Sequence, residues 1–156
     1  MNRILFLLFA IFISLPVSGQ ISLGDDGLYY DKLQQPFTGE YREYFDNGQM
    51  KQEMNILNGR IHGQVNVWYR TGQLRETRHF KAGLRDGLWV SFNEAGVKTG
   101  EASYRDDVKE GPWKIWDDGG VLRYEMFYRK GIKSGRWVMY DAEGKKVDEK
   151  TYSDEK

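Results

Sequence analysis

From residue 37 to residue 152 the chain runs in short stretches where apolar or aromatic side chains alternate with charged ones, each broken by glycine. Alternation at a period of two is the signature of half-buried β-strands, and the residues that fill it are aromatic and β-branched. Parity assigns two faces to such strands. In the first strand of each unit Trp89, Trp113 and Trp137 share a face with Val67, Ile115 and Met139, while Arg42, Gln64, Asn66 and Lys114 point away. In the second strand Met50, Leu74 and Leu122 share parity with Met54, Met126, Phe80, Tyr104 and Tyr128. The opposite parity carries Lys51, Arg75 and Arg123 with Glu53, Glu101, Glu125 and Glu149, a charge ladder able to pair across strands.

The punctuation is periodic. Gly39, Gly63, Gly87, Gly111 and Gly135 lie 24 residues apart, and Gly48, Gly72, Gly96, Gly120 and Gly144 keep the same interval nine residues later. The chain holds 18 glycines in 156 residues, too few for ten to fall on one period by accident. Aligned on the first glycine, aromatics recur at fixed places. Tyr44, Trp68, Phe92, Trp116 and Tyr140 stand five residues later, and Ile56, Phe80, Tyr104, Tyr128 and Tyr152 seventeen later. The second glycine sits where a four-residue hairpin loop needs positive φ, and steps such as Asn58-Gly59 and Lys130-Gly131 turn into the next unit. The predicted fold is all-β: five tandem 24-residue hairpins, starting near 39, 63, 87, 111 and 135, in one elongated, twisted antiparallel meander. Residues 20–36 precede the register and read as a cap for the first edge, with Gly27–Tyr30 as a strand, and 153–156 form a charged tail.

Residues 1–19 read as a signal peptide. Arg3 gives a positive start, residues 4–15 are almost all apolar, and Val17-Ser18-Gly19 offers small residues for cleavage before Gln20. A retained anchor is the alternative, although the apolar run falls short of the ~20 residues a spanning helix needs. The expected location is therefore outside the cytoplasm, in periplasm, outer envelope or medium. With no cysteine, stability rests on packing. Removing Arg3 with the leader leaves 22 basic against 23 acidic residues, a net charge of −1, which argues against a nucleic-acid partner.

The motif Gly87-Leu88-Trp89-Val90-Ser91-Phe92-Asn93-Glu94-Ala95-Gly96 resembles the MORN repeat, and more closely the longer-period variant in bacterial proteins catalogued as YwqK-type antitoxins. The resemblance covers residues 37–152 and implies a scaffold that binds proteins or associates with membranes. Val65 replaces the tryptophan of the second copy and Asp107 a turn glycine. An antitoxin neutralising a cytosolic toxin would not be exported; a neutraliser of a toxin made beside this chain is the further alternative, which a neighbouring gene for a small toxic protein would favour.

No catalytic constellation emerges. His62 and His79 occupy turn and surface positions, and no serine has a nucleophile's setting. Paired-acid hydrolysis needs carboxylates facing across a cleft, which a single sheet lacks. Asp117-Asp118-Gly119-Gly120 and Gly24-Asp25-Asp26-Gly27 read as turns rather than calcium loops. The chain is thus expected to be no enzyme and to need no metal or cofactor. Its candidate binding surface is the second aromatic row, Tyr44, Trp68, Phe92, Trp116 and Tyr140, since exposed aromatics rimmed by charge mark interaction sites. The row of Trp89, Trp113 and Trp137 reads as core. The expected ligand is another protein, with lipid head groups or a glycan as the alternative.

Overall fold

The computed structural model describes residues 21–153, so the leader and the last three tail residues lie outside the described part. A short antiparallel ribbon comes first, β1 (Ser22–Leu23) with β2 (Tyr29–Tyr30). The main sheet then runs in chain order as β3 (Gly39–Tyr44), β4 (Met50–Leu57), β5 (Arg60–Trp68), β6 (Leu74–Lys81), β8 (Gly87–Phe92), β9 (Lys98–Arg105), β10 (Val108–Trp116), β11 (Leu122–Arg129), β12 (Ile132–Tyr140) and β13 (Lys146–Tyr152). The two-residue β7 (Leu84–Arg85) also pairs with β6 and leads into β8. Every neighbour is antiparallel and sequential, which is the predicted meander.

Two kinds of turn build it. Between units the turns have two residues, both at positive φ: Asn58-Gly59, Ala82-Gly83, Asp106-Asp107 and Lys130-Gly131. Such turns match the twist of paired strands, and glycine or a short polar residue adopts them most cheaply. Asp107 takes the glycine's place at φ 66°, as its small acceptor side chain permits. Within units the loop is shorter than expected. Gly48 N–H donates to the Phe45 carbonyl and Phe45 N–H to the Gln49 carbonyl, closing three residues rather than four, and the other four loops repeat this. Gly48 at φ 82° is the residue that turns the chain back into the ladder.

Simple parity fails at one point in each hairpin. Tyr44 pairs with Met50 but Glu43 pairs with Gln52, so Lys51 is an extra residue. The same bulge places Arg75, Thr99, Arg123 and Val147 between paired residues. A bulge shifts the pleat by one residue. Met50, Leu74 and Leu122 therefore leave the face of Met54, Phe80 and Met126, where parity put them, and pair with Tyr44, Trp68 and Trp116 on the other. Lys51 likewise leaves Glu53 and, with Gln52, reaches the Glu43 carboxylate at 2.6 and 3.1 Å.

The core lies on the tryptophan face at the N-terminal end. Met54, Ile56, Val65 and Val67 are buried, and Ile21, Tyr29, Phe37, Tyr41, Ile61 and Phe80 pack around them. The ribbon is tied down by Tyr29 N–H on the Gly59 carbonyl and Gly59 N–H on the Phe37 carbonyl. It closes over this core rather than adding a strand beside β3, which is where an edge cap was expected.

Candidate functional site

On the core face the seventeenth-position rings and the tryptophans interleave into one ladder: Phe80, Trp89, Tyr104, Trp113, Tyr128, Trp137 and Tyr152. Successive centroids stand 5.2–5.4 Å apart and the rings are tilted by 51–65°. Each pair gains from edge-to-face contact as well as burial. Each indole also satisfies a backbone acceptor on the preceding strand: Trp89 N–H to His79 O, Trp113 N–H to Ser103 O, and Trp137 N–H to Phe127 O, at 3.0–3.1 Å. This row is structural, as its periodicity predicts.

Cations flank the ladder. Lys109 Nζ stands 4.3 Å from the Trp113 ring and 4.6 Å from Tyr128, and Lys133 Nζ 4.4 Å from Trp137. Arg85 lies 4.4 Å over Tyr104 and is anchored by Asp107 at 2.8 Å. That guanidinium holds the Asp107 carboxyl below its usual range. Sequence reading passed over these three residues.

The opposite face carries the candidate row. Cross-strand pairing joins Tyr44 with Met50, Trp68 with Leu74, Phe92 with Lys98, Trp116 with Leu122, and Tyr140 with Lys146. The bulges thus extend five aromatics into a stripe that crosses ten strands, about 40 Å at the usual strand spacing. Tyr44 is 50% exposed and the other four rings are half-buried. Two of them make polar or cation contacts: Lys98 Nζ sits 4.2 Å over Trp116, and the Tyr140 hydroxyl donates to Glu125 at 2.7 Å. The charge ladder runs alongside, with Lys114 on Glu125 at 3.0 Å, Lys98 on Glu101 at 2.7 Å and Lys146 on Glu149 at 2.9 Å. The Tyr140 hydroxyl, then Lys114, keep the Glu125 carboxyl below its ordinary range. Partial burial, then the neighbouring Glu40, push Glu53 the other way.

The remaining polar candidates do backbone work. His62 Nδ1 accepts the Ala82 N–H at 3.3 Å. Asp86 does the same for Asp106 and Glu110 for Lys130, so this position caps the next turn. His79 is half-buried rather than a free surface group, its Nδ1 2.9 Å from the Leu88 carbonyl. Asp117 accepts the Gly119 and Val121 N–H groups, and Asp26 those of Leu28 and the Tyr30 hydroxyl, which is turn chemistry. Among the described residues no three His, Asp or Glu side chains converge as a metal site would require.

With this geometry in place, the MORN repeat variant family matches the chain at residues 37–58, 61–82 and 109–130, each window opening two residues before a glycine of the first set. The chain carries MORN-variant repeats. The third and fifth units share the hairpin loop and the bulge of the matched ones, although the family match does not extend to them. No curated protein matches the chain.

Proposed function

We propose that this chain is an exported, non-enzymatic MORN scaffold that binds another protein along the aromatic stripe of its charged face. One observation carries the reading: five ring–partner pairs, from Tyr44–Met50 to Tyr140–Lys146, stay partly open to solvent beside a ladder of paired charges. Interfaces use this combination, aromatic anchors for energy and a polar rim for register. The repeat is generally met as a binding module, which agrees with a non-catalytic role. Export rests on the leader sequence, and recovery outside the cytoplasm of a chain beginning at Gln20 would support it.

The binding test compares the chain from Gln20 onward with its Trp68→Ala, Trp116→Ala double variant. Both are cross-linked to envelope extract from the source cells and the retained proteins are identified. A partner held by the first and lost by the second supports the stripe; equal retention moves binding elsewhere on the molecule. The second reading, anionic head groups or an acidic glycan, is favoured by Lys109 and Lys133, which have no carboxylate partner among the described residues. Binding to anionic vesicles that weakens with salt would favour it.

A further inference from the structure

We propose that β13 is a docking edge for an extended, tryptophan-bearing segment of a partner protein, which adds to the sheet as its next antiparallel strand. The junctions between repeats supply the template. Phe80, Tyr104 and Tyr128 each receive a tryptophan of the next unit (Trp89, Trp113 and Trp137) against the ring, at 5.4, 5.3 and 5.3 Å. The residue just before each ring, His79, Ser103 or Phe127, offers its carbonyl to that indole. Three residues before the ring, Glu101 faces Lys114 across the junction.

β13 presents this half-junction with nothing on its outer side among the described residues. Tyr152 stacks on Trp137 at 5.2 Å and has no ring beyond it. Thr151 stands where His79 stands, so its carbonyl and N–H point outward; the His79 carbonyl takes the N–H of Asp86, the residue between β7 and β8. Glu149 stands where Glu101 stands. Between Ile115, Tyr124, Met126 and Met139, on the ladder face beside this edge, lies an open apolar groove of about 370 Å³ with Asp148 and Lys150 at its rim. The residue two beyond an incoming tryptophan meets Asp148 at that rim, as Ile115, two beyond Trp113, faces Gly100. The register thus writes the partner's pattern: glycine, any residue, tryptophan, lysine or arginine, then an apolar residue. Strand addition of this kind takes affinity from main-chain bonds and selectivity from alternate side chains.

The two ends of the array differ, which decides the occupant. At β3 the corresponding place is filled from within: Tyr29 packs into the core, and its carbonyl takes the Phe37 N–H. A second copy cannot seat its β13 there without displacing the ribbon, so head-to-tail growth is blocked, and β13 carries no tryptophan to offer the β13 of a second copy, which leaves the open edge to a different chain. This site lies apart from the stripe on the other face, and neither depends on the other.

The probe is a labelled peptide copying residues 108–116, titrated with the full chain and followed by fluorescence anisotropy. Saturable binding is expected, about tenfold weaker when the peptide's first tryptophan is alanine, the loss of one ring contact and one hydrogen bond. Tyr152→Ala and Thr151→Pro should each weaken it about as much, the proline removing an outward N–H that β12 does not use. Far-UV circular dichroism checks that both variants stay folded. Trp68→Ala with Trp116→Ala should change nothing. Absence of binding up to about 1 mM peptide, or binding indifferent to the peptide tryptophan or to both edge variants, overturns the proposal. So does a dimer or polymer of the chain alone that Thr151→Pro dissolves, since the edge would then belong to a second copy.

Discussion

Trp113→Ala and Trp116→Ala remove the same side chain three residues apart, and the structure gives them unequal costs. Trp113 touches two rings at 5.3 Å, Tyr104 and Tyr128, holds Lys109 against its face and donates to Ser103 O at 3.1 Å. Each ring pair is worth about 0.5–1.5 kcal/mol beyond area and the hydrogen bond about 1 kcal/mol. With the lost packing of this half-buried ring, Trp113→Ala should cost about 3–4 kcal/mol, at the lower end of the range for tryptophan truncation. Trp116 has Lys98 over its ring at 4.2 Å and no ring contact among the described residues, so its truncation should cost about 1 kcal/mol. Urea unfolding followed by far-UV circular dichroism measures both. A double-mutant cycle sharpens the test: Trp113 and Tyr128 should couple by about 0.5–1.5 kcal/mol, whereas Trp113 and Trp137, two strands apart, should add independently within about 0.5 kcal/mol. Equal costs for the two alanines, or no coupling between Trp113 and Tyr128, would refute the assignment of one row to the core and the other to the surface.

Three further outcomes follow from the turns. Ala82 sits at φ 50° in the first place of a two-residue turn, where Asn58 stands one repeat earlier, so Ala82→Asn should stabilise the chain by about 0.5–1 kcal/mol in the same urea assay. His62→Ala leaves the Ala82 N–H without its acceptor and should destabilise by about 0.5–1 kcal/mol, while His62→Asp, copying Asp86, should restore most of the loss. Asp117 is held below the usual carboxylate range first by the Val121 N–H and then by Arg123. A depressed folded-state pKa means the unfolded chain binds the proton more readily, so this contribution is complete above the ordinary aspartate range and is lost as pH falls through it. Asp117→Asn should flatten the fall in stability between about pH 5 and pH 2 and leave its slope near neutrality unchanged; an unaltered acid limb contradicts that account.

The hairpins, their order and the ladder were legible because each unit must bury the same face against its neighbours, and a strict 24-residue interval repeats that demand. The bulge was not, because the extra residue carries no chemical mark: Lys51, Arg75, Thr99, Arg123 and Val147 share no side-chain type. A clue was nonetheless present. Unbroken parity would put Lys98 and Lys146 on the face of Tyr104 and Tyr152, an awkward setting for two ammonium groups, and the bulge removes it by carrying them to the charged face. The face of the second aromatic row followed from the parity of its own strand, Tyr44 beside Arg42; what the register shift adds is the row's partners, Met50, Leu74, Lys98, Leu122 and Lys146, which no single residue announces.

The position two residues before the first glycine shows most plainly what local pattern could not supply. It holds Phe37 and Ile61 in the first two units, then Arg85, Lys109 and Lys133. Read alone, a column that turns from apolar to cationic looks like drift. In the fold it follows the ribbon: Phe37 and Ile61 pack with Ile21 and Tyr29 of the ribbon around the core, and farther along, where the ribbon no longer reaches, the side chain lies across the ladder rings. A long cationic side chain serves there because its stem covers aromatic surface while its head stays hydrated. The switch is therefore a response to a tertiary contact made by a segment outside the repeat register, and only the structure shows where that contact ends.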